Sequence, residues 1–83
     1  MLATVASSTS ANRIKRRLSE SGIQSYVIQT PQRLTREGCG YSLRFDESNM
    51  FFVEKASYEL GIKIRAFYSE IHNDEGVDYI KKQ

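Results

Sequence analysis

Two glycine–isoleucine pairs, Gly22-Ile23 and Gly61-Ile62, constrain this chain's architecture more than any other feature. Each follows a segment whose apolar residues recur at helical spacing, and each opens a β-prone run. Glycine just past a helix accepts the left-handed backbone that stops it, because no Cβ clashes there. A strand also precedes each helix. Leu2 to Ala6 is short, β-prone and bounded by polar residues, and Tyr41, Leu43 and Phe45 alternate with Ser42 and Arg44. The chain therefore reads as strand–helix–strand twice over, with a hairpin between the halves.

Ser7-Ser8-Thr9-Ser10 offers oxygen acceptors for the free N–H groups of a first helical turn. Ala11, Ile14 and Leu18 then form one apolar face, opposite Arg13, Lys15, Arg16 and Arg17. Ile23 to Thr30 is the second strand, ended by Pro31, which cannot donate to a ladder. Gln32 to Gly38 is a polar loop. Asp46 or Ser48 caps the second helix, with Phe52, Val53, Ala56 and Leu60 as its buried stripe, and Ile62 to Tyr68 is the fourth strand. This order predicts an α+β, ferredoxin-like βαββαβ fold: a four-stranded antiparallel sheet with two helices on one face. Residues 1–70 form the single domain, and 71–83 a polar C-terminal tail.

With 83 residues there is room for one core and no second one. A core of this size is marginal, so homo-oligomerisation is a further expectation. Twelve Lys and Arg against ten Asp and Glu give a net charge of +2, too little to announce a nucleic-acid partner. One cysteine excludes an internal disulfide framework. The first residues lack the basic flank of a signal peptide, and no apolar run is long enough to span a bilayer. A cytoplasmic protein without membrane contact is the resulting expectation. No cofactor is expected: His72 stands alone, which argues against zinc, and the glycines form no phosphate-binding fingerprint.

Cys39 lies between Gly38 and Gly40 in the stretch Thr30-Pro31-Gln32-Arg33-Leu34-Thr35-Arg36-Glu37-Gly38-Cys39-Gly40. The thiolate is the nucleophilic form of cysteine, and nearby cations or a helix N-terminus favour it. Arg33, Arg36 and Arg44 could supply the charge. In the βαββαβ arrangement the helix start at Ser7 to Ser10, including Ser8 and Thr9, shares one end of the sheet with Thr30-Pro31 and Cys39-Gly40. A small apolar plug at a strand mouth is the competing reading of the same cysteine.

Thr30-Pro31, Leu34-Thr35, Cys39-Gly40 and Arg44 three residues before Glu47 resemble the selenium/sulfur carrier-like family. The Ser-Thr helix start and the Gly-Ile pair after helix one fit it too. The resemblance covers Leu2 to Ser69. Gln32 stands where that pattern has arginine, with Arg33 one place later. The resemblance implies a non-enzymatic carrier in which Cys39 holds sulfur or selenium as a persulfide-like adduct, framed by Gly38 and Gly40. Arg33, Arg44, Ser8 and Thr9 would support it. The implied partners are a sulfur- or selenium-mobilising enzyme and an acceptor protein.

A second reading is a regulatory module that binds a small anionic ligand, with Cys39 only lining the site. Such a module keeps its ligand after Cys39→Ala and loses it after Arg33→Ala or Arg44→Ala. RNA binding is a third: Tyr26, Tyr41, Phe51, Phe52 and Tyr58 are aromatic, but their positions do not reproduce the RNA-recognition signature. Several of them are expected in the core, with Tyr26 and Phe51 at a protein interface.

Overall fold

The computed structural model describes residues 1–34 and 40–82. Among these are β1 (Leu2–Val5), α1 (Ser8–Glu20), β2 (Ser25–Gln29), β3 (Tyr41–Phe45), α2 (Met50–Leu60), β4 (Ala66–Asn73) and β5 (Gly76–Lys81). Single 3₁₀ turns at Gln32–Leu34 and Glu47–Asn49 follow β2 and β3. The strands lie in the order β2-β3-β1-β4-β5, and every pairing among them is antiparallel. No helix among the described residues is long and apolar enough to cross a membrane.

Both helices end as the glycine–isoleucine pairs predict. Ile23 N–H donates to Leu18 O and Gly22 N–H to Ser19 O, while Ile62 N–H donates to Ser57 O and Gly61 N–H to Tyr58 O. Gly22 and Gly61 take φ of 77° and 68°, which lets each turn reuse carbonyls left free at the helix end. At the other end of α1, the Ser7 hydroxyl accepts from Ser10 N–H at 3.2 Å. Asp46 caps the 3₁₀ turn ahead of α2: its carboxylate accepts from the Ser48 N–H and hydroxyl, and these bonds hold its pKa below the ordinary value.

The core lies on one face of the sheet. Met1, Ala3 and Val5 from the β1 segment, Leu43 and Phe45 from β3, and Phe67 from β4 meet Ala11, Ile14 and Leu18 of α1 and Val53 and Ala56 of α2. Odd-numbered β1 and β3 residues sharing this cluster is the period-two signature of a strand with one face turned to the helices. Burying each large side chain contributes about 1.5–3 kcal/mol. The Arg17–Glu59 pair that also links the helices, at 3.1 Å and half exposed, contributes no more than about 1 kcal/mol.

Three expectations are corrected. The sheet has five strands instead of four, because the tail expected to be polar supplies β5. A two-residue turn at Asp74-Glu75 joins β4 to β5, with the Asn73 side chain accepting from Glu75 N–H at 2.9 Å. The fourth strand begins at Ala66, not Ile62. Ile62 and Ile64 pack against the core margin, which produces strand-like alternation without a ladder. Phe52 is 47% exposed and leaves the buried stripe of α2 to Val53, Ala56 and Ser57. It lies one step round the helix from Val53, over the groove toward α1.

Candidate functional site

The second face of the sheet is also closed in its middle. Leu2 and Ser42 are fully buried and Thr4 nearly so, although all three point away from the helices. After β2 the chain turns at Pro31, and Arg33 Nη1 reaches Val77 O at 3.0 Å and Asp78 Oδ1 at 3.1 Å. Because β2 and β5 are the two edges of the sheet, this contact carries the segment after one edge to the other edge. On this face lies a half-open cavity of about 210 Å³, bordered by Thr4, Thr30, Leu34, Gly40, Arg65, Tyr68 and Lys81.

Each lining group is fixed by local structure. Thr30 N–H donates to Gly40 O at 3.0 Å, extending the β2–β3 ladder by one pair. The Thr30 and Ser42 hydroxyls bond each other at 2.7 Å. A Cβ on Gly40 would stand 3.5 Å from Thr30 Oγ1 and 4.0 Å from Val5 O, so this glycine sits directly against the cavity wall. Arg65 N–H donates to Thr4 O at 2.8 Å, which anchors the arginine at the mouth of β4 beside β1. Lys81 arrives through the β4–β5 register, opposite Tyr68, which in turn lies opposite Leu2. Neither Arg65 nor Lys81 forms an ion pair among the described residues. The wall thus combines two cations with hydroxyl groups, a chemistry that favours a small anion.

Of the residues singled out from sequence, Arg36, Gly38 and Cys39 lie outside the described residues. Gly40, bonded to Cys39, borders the cavity. Ser8 and Thr9 occupy the first turn of α1 at the same end of the sheet, since Val5 pairs with Tyr41. Thr9 faces a different concavity, lined by Arg13 and Arg16. Arg33 is exposed and held by Asp78 of β5. Arg44 lies four residues along β3 from Gly40, about 13 Å at strand rise. There its Nε and Nη2 donate to the two carboxylate oxygens of Glu70 at 3.2 and 3.0 Å. Both arginines are paired with carboxylates, and Arg65 and Lys81 are the cations among the described residues that border the cavity. Sequence reasoning does not single out these two: Arg65 falls within the expected fourth strand, and Lys81 in the polar C-terminal tail.

The match to known proteins covers every residue bordering the cavity except Lys81. Residues 1–69 match the family described as "Putative Se/S carrier protein-like", a span ending four residues before β4 does. No curated protein and no solved structure matches the chain. With 69 of 83 residues matched, including both helices and the Cys39-Gly40 loop, the chain belongs to the Se/S carrier protein-like family.

Proposed function

We propose that this chain is a non-enzymatic carrier that accepts sulfur or selenium on Cys39 and hands it to an acceptor protein. One observation carries the reading beyond family membership: Gly40, the residue bonded to Cys39, borders a cavity whose wall includes Arg65 and Lys81. A persulfide or perselenide adduct is anionic, and two cations with nearby hydroxyls would stabilise it as well as the thiolate that precedes it.

The transfer needs no oxidant. The Cys39 thiolate attacks the outer sulfur of a donor persulfide, forming a new S–S bond. The donor's S–S bond breaks and its thiolate leaves with the electron pair. An acceptor thiolate then takes the outer sulfur by the same exchange and regenerates Cys39. Selenium in the outer position follows the same path. We read the compartment as the cytoplasm, where a lone thiol stays reduced. The first four strands and two helices, taken without β5, are read as a ferredoxin-like unit.

The cavity's role is tested by Arg65→Ala and Lys81→Ala, separately and together, with Cys39 alkylation followed at neutral pH. Removing a nearby cation raises the thiol pKa and lowers the thiolate fraction. Each change is expected to slow alkylation roughly threefold, equivalent to about half a pKa unit. Rates equal to wild type in the double variant would sever Cys39 from this cavity. If small anions still bound that variant's parent after Cys39→Ala, the regulatory-module reading would take precedence.

A further inference from the structure

We propose that the outer face of α1, together with the groove between α1 and α2, is a docking surface for an acidic protein partner. The charge and the groove carry it, and only its suitability for delivery rests on the carrier reading. α1 bears Arg13, Lys15, Arg16 and Arg17 against Glu20 alone, a net of +3 on one helix of a chain whose total is +2. Everything outside α1 therefore sums to −1, and the positive field is local to this face.

The spacing gathers the charge. Arg13, Arg16, Arg17 and Glu20 stand at i, i+3, i+4 and i+7, along one side of the helix. They border a concavity of about 490 Å³ with Leu60, from the end of α2, in its wall. A second groove of about 340 Å³ shares Arg17 and runs between the helices, walled by Leu18, Ile23, Phe52 and Lys55. Phe52 is large and half exposed there, with its ring edge-on to the more exposed Phe51. Guanidinium groups interleaved with exposed aromatic and aliphatic side chains are the make-up of a protein-binding surface.

The carboxylates choose the class of partner. Glu20 and Glu59 stand among the cations, and Glu59 already holds Arg17 at 3.1 Å. A continuous phosphodiester backbone would meet both negative groups. A protein surface alternating carboxylates with apolar side chains meets the arginines through paired N–H···O bonds and seats its apolar groups on Leu60 and Phe52. The position also suits delivery. α1 starts where β1 ends, beside the Val5–Tyr41 pair, so a partner lying along α1 extends to the end of the sheet that carries Gly40.

The test uses the full chain and a short fluorescein-labelled peptide alternating glutamate and leucine, with an RNA oligonucleotide of equal charge as competitor class. Fluorescence anisotropy gives affinity, and amide chemical-shift mapping gives location. The expected result is peptide binding with shifts concentrated on α1 and α2. Arg13→Glu with Arg16→Glu should weaken it by about tenfold or more, since like charges then face each other. Both residues are exposed, so the thermal melt should not move. Should the reversed variant fail to fold, Arg13→Gln with Arg16→Gln keeps the comparison, with a smaller loss expected. Absence of peptide binding, binding indifferent to these changes, or shifts lying on the sheet would overturn the proposal. Tighter binding of the RNA than of the peptide at equal salt would overturn it too, and assign the surface to nucleic acid.

Discussion

Cys39→Ser is expected to abolish adduct formation completely. Incubated with a small-molecule persulfide donor and read by intact mass, the wild-type chain should gain a single sulfur atom, and the serine variant none. The chain has one cysteine, and its two methionine thioethers cannot form a persulfide, so no second residue can substitute. A serine hydroxyl is not ionised near neutral pH and offers no soft nucleophile to a sulfane sulfur. The variant should melt at the wild-type temperature, which separates lost chemistry from lost fold. An adduct that persists on the serine variant would remove Cys39 from the mechanism.

Leu43→Ala is expected to produce the largest loss of stability of any single core truncation in the sheet. Leu43 is fully buried at the centre of β3, with Ala3 and Val27 as its register partners on either side. Emptying such a site costs about 2–5 kcal/mol, because the lost transfer energy is joined by that of an unfilled cavity. A chain of this length has roughly 4–12 kcal/mol in total, at about 0.05–0.15 kcal/mol per residue. The thermal midpoint should fall by at least about 10 °C. Tyr58→Ala is the contrast: its side chain is 88% exposed on α2, and the change should cost no more than about 0.5 kcal/mol. Equal melting shifts for the two variants would contradict the placement of β3 inside the sheet.

The regular parts of this fold were legible because their signals are local. Glycine after an amphipathic segment is enough to end α1 and α2, and the strict alternation from Tyr41 to Phe45 marks β3 to the residue. β5 is less legible although its partner is just as local. Val77 and Tyr79 alternate with Asp78, but Ile80 and Lys81 break the pattern, so the run is too short and too polar to stand out. What makes it a strand is a hairpin: Ile71 to Asn73 of β4 pair with Asp78 to Gly76 across the Asp74-Glu75 turn. Phe52 differs in another way: the spacing puts it in the buried stripe, but it lies half exposed over the groove between the helices.

The site divides along the same line. The Cys39-Gly40 loop and the α1 start were named from short motifs, and the β1–β3 register brings the ends that carry them together. The charges were not legible. Arg44 and Arg33 lay close to the cysteine in sequence, but each meets a carboxylate from distant β4 or β5, Glu70 and Asp78 respectively. Arg65 and Lys81 lie 26 and 42 residues along the chain from Cys39. Only the β1–β4 pairing and the fifth strand bring them to the cavity beside Gly40.

The most direct test of the carrier reading is the pH profile of Cys39 alkylation in the folded wild-type chain, followed by intact mass. The carrier account predicts rapid modification with a midpoint well below the value of about 8.5 for a free thiol. Modification that stays slow in the folded chain and accelerates only on unfolding would contradict it, and would make Cys39 a packing residue.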